Sequence, residues 1–263
     1  MQLDGRLALL TGAGSGIGRA LAIELSERGA KVVLVSRRRR VLEETAASLP
    51  YPNRAIALAA DLTDQPARNE LVRRIAALGR LDLLINNAGM VVAGPLSADG
   101  VAARRQMIEI NLMAPIELTL ALLPLLRASA PSRIVNIGSM FGDIAFPYFC
   151  TYSASKFGLR GWSDGLRREL ASSGVCVTYA APRGTRTPAL DSFATLAEAF
   201  DMRLDPAERV ARQIADAIVA DARTVYPRGR ERLFVLLQRV AAGVIDLALA
   251  RQLAQATIRL APP

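Results

Sequence analysis

Short apolar runs alternate with longer amphipathic stretches along most of the chain, and this alternation constrains the fold more than any other feature. The runs lie at 6–10 (RLALL), 31–35 (KVVLV), 55–60 (AIALAA), 82–86 (DLLIN), 132–138 (SRIVNIG), 175–180 (VCVTYA) and 223–226 (RTVY). Near-continuous apolar strands separated by helices call for a parallel sheet covered on both faces. Right-handed crossovers then give a doubly wound (Rossmann) α/β fold, mostly seven-stranded and parallel, with a ligand crevice at the carboxyl ends of the strands. Between the fourth and fifth runs, 98–128 carries Met107, Ile110, Leu118, Leu122 and Leu126 at helical spacing. We expect one dinucleotide-binding and catalytic domain over 1–227, with 184–205 as a mobile substrate lid. An amphipathic helical extension over 228–263 is expected to follow it.

The residues the chain omits narrow its chemistry. It has no histidine, which removes Ser-His-Asp triads, Cys-His nucleophiles and most zinc sites. No metal site is expected, and acid–base work falls to Tyr, Lys, Asp, Glu or Cys. Cys150 and Cys176 make no disulfide framework, which points to a reducing compartment or simply to no need for crosslinks. Residues 1–10 run into the first strand without a charged leader and cleavage site, so a cytoplasmic location is expected. The net charge of +9 suits an anionic cofactor, substrate or lipid. Its arginines are spread along the chain without interleaved aromatics, so no nucleic-acid partner is expected.

The first strand ends in Thr11-Gly12-Ala13-Gly14-Ser15-Gly16-Ile17-Gly18, and a helix follows. Glycines allow a tight turn and a close approach to a pyrophosphate, and the helix N-terminus offers the anion free N–H groups. Taken alone, the cluster is also compatible with an ordinary strand-to-helix turn. Further along come Asn86-Asn87-Ala88-Gly89, Asn111 inside a helix, Ser139 at the end of the fifth strand, and Tyr152-Ser153-Ala154-Ser155-Lys156. This series, from about residue 5 to residue 188, resembles the short-chain dehydrogenase/reductase family, in particular its NADP-preferring ketoreductases.

The resemblance implies hydride transfer between a nicotinamide and a carbonyl or secondary alcohol. It assigns cofactor contacts to Gly12, Ser15, Gly16, Ile17, Gly18, Asn87, Ala88 and Gly89, and adenine contacts to Asp61 and Leu62. Lys156 would hold the nicotinamide ribose beside Tyr152, and Asn111 would position a water leading from the lysine to solvent. Pro182, Thr185 and Thr187 would border the cofactor after the sixth strand, where Arg183 replaces the family's usual glycine.

Part of the chemistry can be argued from the residues themselves. Tyr152 and Lys156 are four apart and share a helix face. A nearby ammonium favours the phenolate, so the tyrosine is expected below its ordinary pKa of about 10. Ser139 can hydrogen-bond the reacting oxygen. Singly, such residues are also a solvated helix face, a cap and a backbone-satisfying asparagine.

NAD sites commonly place a carboxylate at the end of the second strand. Here Ser36 stands there, followed by Arg37-Arg38-Arg39-Arg40. Arg37 or Arg38 can pair with a 2′-phosphate, so NADP(H) is the expected cofactor, with Arg39 and Arg40 left to solvate a helix.

Met140, Phe141, Phe146, Phe149 and Cys150, with Leu190, Phe193, Leu196, Phe200 and Met202 from the lid, are expected around a hydrophobic substrate such as an acyl chain, sterol or other lipid. The tail concentrates Leu233, Phe234, Leu236, Leu237, Val240 and Ile245 beside Arg230, Arg232 and Arg239. Gln238, Arg239 and Asp246 argue against a spanning helix. The tail is expected beside the substrate entrance, where peripheral membrane contact, packing on its own domain and a partner subunit stay open. A homo-oligomer is the expected assembly. The competing readings are a catalytically silent nucleotide-binding regulator and an epimerase or dehydratase of the extended relatives. The intact Asn111, Ser139, Tyr152 and Lys156 argue against the first. The loop spacing and the lack of a longer C-terminal substrate domain argue against the second.

Overall fold

The computed structural model describes residues 1–95 and 100–260. The apolar runs form β1 (Leu7–Thr11), β2 (Lys31–Ser36), β3 (Ala55–Ala59), β4 (Leu83–Asn86), β5 (Ser132–Ile137), β6 (Val175–Ala180) and β9 (Thr224–Val225). They make one parallel sheet in the order β3-β2-β1-β4-β5-β6-β9. Side chains alternate across a strand, and here both sets are apolar. Ala8 and Leu10 enter one core with Val32, Leu34, Leu83 and Ile85, and Leu7 and Leu9 enter the other with Val33, Val35 and Leu84. Helices α1 (Gly16–Glu27) and α8 (Ala207–Val219) supply buried residues to the first core. Helices α3 (Gln65–Ala76), α5 (Ala114–Ala128) and α6 (Cys150–Glu169) supply the second. The expected strands differ from the observed ones by a residue or two at their ends.

The helix expected over 98–128 is α4 (Val101–Ile108), a π-type turn over Glu109–Met113, and then α5; residues 98 and 99 lie outside the described residues. This run is long and apolar enough to cross a bilayer by length and composition. Its Met107, Leu118, Leu122 and Leu126 are buried, and it lies against α3, α6 and the sheet, as a core helix does.

The segment expected to be a mobile lid has regular structure throughout much of its length. β7 (Thr185–Arg186) pairs in parallel with β8 (Asp205–Pro206). Between them come a 3₁₀ segment, Pro188–Phe193, and α7 (Ala194–Ala199). The sequence pattern concealed this because strands of two residues carry no periodicity. The extension is helical in two pieces, α9 (Glu231–Val240) and α10 (Ala242–Leu260), and α2 (Arg39–Ala47) follows β2. Ala241, with non-helical φ −151° and ψ 56°, separates α9 from α10.

Candidate active site

In a doubly wound sheet the crevice opens where strand order reverses, here between β1 and β4. The two loops flanking it are pinned together. The Thr11 hydroxyl accepts from the Asn87 and Ala88 amides at 2.9 and 3.0 Å, and Asn87 Nδ2 donates to the Thr11 carbonyl at 2.9 Å. Gly12 and Gly16 have φ of +67° and +51°, a region that strains other residues. A Cβ on Gly18 would meet the Gly12 carbonyl oxygen at 2.1 Å, and one on Gly16 would meet Thr187 at 2.8 Å. α1 begins behind this loop with Ser15 at its N-cap and no side-chain cap hydrogen bond. Its first amides are therefore available to an anion.

From this loop a cavity of about 610 Å³ runs along the carboxyl edge of the sheet. Gly12, Ser15, Gly16, Ile17, Gly18, Asn87, Ala88, Gly89, Ser139, Tyr152, Lys156, Pro182, Thr185 and Thr187 all border it. Helix α6 carries Tyr152 and Lys156 into it from one turn. Lys156 is buried and donates to the Ile137 carbonyl at 3.0 Å, with its Nζ 5.7 Å from the Tyr152 ring centre.

The electrostatics correct one expectation. Tyr152 is pushed up to about 12 by burial, with a hydrogen bond to Ser139 pulling the other way. Lys156 is pushed down to about 8, also by burial. The shared helix face is real, but desolvation of the phenol outweighs any help from the lysine, whose ammonium turns toward a carbonyl. At neutral pH Tyr152 therefore keeps its proton.

The lysine's shift has a consequence for stability. A folded-state pKa below the unfolded value of about 10.4 means that the unfolded chain binds more protons between the two values. Stability gained from this group thus rises as pH climbs from about 8 into the ordinary lysine range. Relative to the native chain, a Lys156→Met variant should gain most in melting temperature near pH 7 and lose that advantage by about pH 10. A difference that stays constant across this range in paired calorimetric scans would contradict the assignment.

Ser139 has an extended backbone and accepts from the Phe141 amide at 3.1 Å, which leaves its hydroxyl hydrogen for an acceptor. Asn111 lies in the π-type turn and is buried. Its side chain accepts from the Met90 amide at 2.8 Å and donates to the Met90 carbonyl at 2.9 Å and to Ser155 Oγ at 3.1 Å. A Cβ on Gly89 would lie 2.9 Å from Asn111 Oδ1 and 3.7 Å from Lys156 Nζ. Asn111 thus satisfies backbone groups, and Gly89 lies close to both it and the lysine.

Ser36, Arg37, Arg38, Asp61 and Leu62 do not line this cavity. They sit beyond it, at the carboxyl ends of β2 and β3. Arg39 and Arg40 pair with Glu43 and Glu44 one turn along α2, as expected, whereas Arg37 and Arg38 have no ion pair among the described residues. Asp61 is pushed upward by burial, but the Thr63 amide and hydroxyl, with Arg37 and Arg68 nearby, hold it below the ordinary range. The Leu62 side chain is buried in the core and its carbonyl accepts from Arg68 at 2.6 Å, which leaves its backbone amide to serve a nucleotide.

The substrate end is apolar. Met140, Phe141, Phe146, Phe149, Phe193, Phe200 and Met202 line it. Phe141 and Phe146 stack at 4.8 Å, and Phe149 meets Phe193 edge-on. Cys150 does not line it and is exposed, because it opens α6 on the outer side. Leu190 and Leu196 are also absent from the lining, and Leu196 packs behind Phe200. Reading the sequence for the site missed part of the far wall: besides Phe234 and Ile245, the extension contributes Glu231, Ala248, Leu249 and Gln252. Gln252 donates to the Phe200 carbonyl at 2.7 Å, tying α10 to the segment after α7. An amphipathic pattern marks these residues as inward-facing but not what they face.

Known proteins share this arrangement. Residues 6–196 match the family model described as short chain dehydrogenase. A ketoacyl reductase HetN of a Nostoc species is 36% identical over 182 residues, covering 68% of this chain and 63% of that protein. The match thus spans less than two thirds of that relative. A putative oxidoreductase SadH of Mycobacterium tuberculosis is 32% identical over 92% of this chain and 90% of its own length. The crystal structure of a short chain dehydrogenase from Burkholderia cenocepacia J2315 in complex with NADP has a TM-score of 0.81 and 25% identity, covering 95% of this chain and 99% of that one. A 3-ketoacyl-(acyl-carrier-protein) reductase from Brucella melitensis, complexed with NADH, has a TM-score of 0.77 and 26% identity, over 85% of this chain and 96% of that one.

Proposed function

This chain belongs to the short-chain dehydrogenase family and is an oxidoreductase, and from that premise we propose that it interconverts hydrophobic ketones and secondary alcohols with NADP(H). The observation that carries the reading is the convergence of Ser139, Tyr152 and Lys156 at the junction of a glycine-lined cleft and an aromatic-lined cavity. The cleft fits a dinucleotide. Its glycines leave room where a Cβ would collide, and the uncapped start of α1 presents amides to a pyrophosphate. Hydride exchange is the chemistry a nicotinamide supplies when bound there.

The remaining work belongs to the chain. Ser139 donates a hydrogen bond to the carbonyl oxygen and steadies its growing charge. Tyr152, protonated at neutral pH, gives its proton to that oxygen. Lys156, beside it, favours the phenolate that results and holds the nicotinamide ribose. Asn111, held by Met90, positions a water through which the proton is restored. In alcohol oxidation the same proton path runs in reverse. The aromatic wall excludes water and receives the substrate's apolar part, and the ketoacyl reductases among the relatives and neighbours support an acyl-like carbonyl compound. The two exposed, unpaired cysteines are in keeping with a reducing, cytoplasmic setting, and we take the working form to be a homo-oligomer.

Arg37 and Arg38, with no close ion pair among the described residues and beside Ser36, favour the 2′-phosphate of NADP(H). A charge-assisted bond of this kind contributes roughly 1.5–3 kcal/mol, or about 10–150-fold in affinity. NADPH should bind more tightly than NADH by that factor in a fluorescence titration, and Arg37→Ala should remove most of the difference. Equal dissociation constants for the two cofactors in the native chain would refute the NADP preference while leaving the oxidoreductase assignment intact.

A further inference from the structure

Helices α9 and α10 are apolar on two opposite faces. One face is turned inward. Val235, Ile245 and Ala256 are buried, and Phe234, Ile245, Ala248, Leu249 and Gln252 border the substrate cavity. The other face is turned out. Leu233, Leu236 and Val240 on α9, and Val244, Leu247 and Ile258 on α10, are each more than half exposed. Their spacing places them on the side of each helix away from the cavity. Among the described residues nothing covers this outer stripe.

The charge around the stripe identifies its occupant. Arg228, Arg230, Arg232 and Arg251 are exposed and have no ion pair among the described residues. Of the two acids in α9 and α10, Glu231 is held by Arg183, and Asp246 alone remains. A second copy of the chain docked here would bring a second set of these arginines into the same interface, with only Asp246 of each copy to offset them. A bilayer with anionic headgroups offers apolar depth for the leucines and opposite charge for the arginines at the same height.

We infer that the outer face of α9 and α10 docks the protein reversibly on an anionic lipid surface. The cavity wall and the docking face are then opposite sides of the same two helices, so an apolar molecule leaving the bilayer has only these helices to pass. The docking itself does not depend on the proposed reaction and is tested without it.

The full-length native chain is sedimented with vesicles of phosphatidylcholine, and with vesicles that also contain phosphatidylglycerol, at low and high salt. It should pellet with the anionic vesicles and be released by salt. An Arg232→Gln/Arg251→Gln variant should bind about 30-fold more weakly, at about fivefold per basic residue removed. A Leu236→Glu/Leu247→Glu variant should lose binding altogether, since each leucine contributes roughly tenfold or more. None of these side chains lines the cavity, and circular dichroism melts confirm that each variant is folded. A native chain that stays in the supernatant with both vesicle types overturns the inference. So does a folded leucine variant that still pellets, or sedimentation velocity in which that variant breaks up an assembly formed by a native chain that ignores lipid.

Discussion

A Tyr152→Phe variant should turn over a ketone about 10²–10⁴-fold more slowly than the native chain, the usual contribution of a positioned general acid, and should bind NADPH nearly as well. The phenol stands at the junction of cleft and cavity and, with a pKa of about 12, keeps its proton at neutral pH. Ser139 is a hydrogen-bond donor too weakly acidic to replace it, and Lys156 is turned to the Ile137 carbonyl. The substitution removes one oxygen and leaves the ring edge-on to Phe141 and Phe149, so the aromatic wall is preserved. Single-turnover measurements with saturating NADPH separate the chemical step from binding. Full activity in a purified, folded variant would remove Tyr152 from the mechanism, and an equal loss of NADPH affinity would make it a binding residue instead.

The parts of this molecule that could be read from the sequence are those built from regular repeats and local spacing. Apolar runs such as 31–35 are short, rich in β-branched valine and flanked by turn residues, as a doubly covered strand requires, and so the sheet emerged with errors of a residue or two at its ends. The glycine loop and the Tyr152–Lys156 pair are local too, since a turn and a helix fix their geometry within a few residues. What eluded the sequence depends on distant parts meeting. The effect of Lys156 on Tyr152 was expected from their separation along one helix, but burial by several other segments sets the phenol's pKa. Leu62 reads as part of a binding pair, yet its side chain is claimed by the core beneath β3. Cys150 is two residues from Tyr152, and that offset turns it about 200° around the helix, away from the cavity. The far wall contributed by α10 required knowing where a helix more than 80 residues distant in sequence would come to rest.

An Arg183→Gly variant should destabilise the fold by about 3 kcal/mol, the low end of what removing one partner from a buried ion pair costs, and so lower the melting temperature by roughly 6–12 °C for a chain of this size. Arg183 occupies the loop between β6 and β7, next to Pro182 and Thr185 on the cofactor side of the cavity. Its guanidinium donates to Asp205 at 2.7 Å and to Glu231, with its own side chain 9% exposed and those of Asp205 and Glu231 6% and 17%. The Asp205 and Glu231 hydrogen bonds hold the guanidinium above its ordinary range despite burial. One side chain therefore joins the cofactor loop, β8 and the start of α9. Without it, two carboxylates remain in a poorly solvated place with no cation of their own, apart from the longer 3.6 Å approach of Arg209 to Asp205. Because α9 also supplies Phe234 to the cavity wall, the same variant should raise the KM for an apolar ketone more than it lowers kcat. Glu231→Gln, which keeps the Arg183–Asp205 bond, should show a smaller version of both effects. A melting temperature within about 2 °C of the native value for Arg183→Gly, less than 1 kcal/mol on this scale, would mean that the cofactor loop and α9 hold their places independently and that this ion pair adds nothing to either.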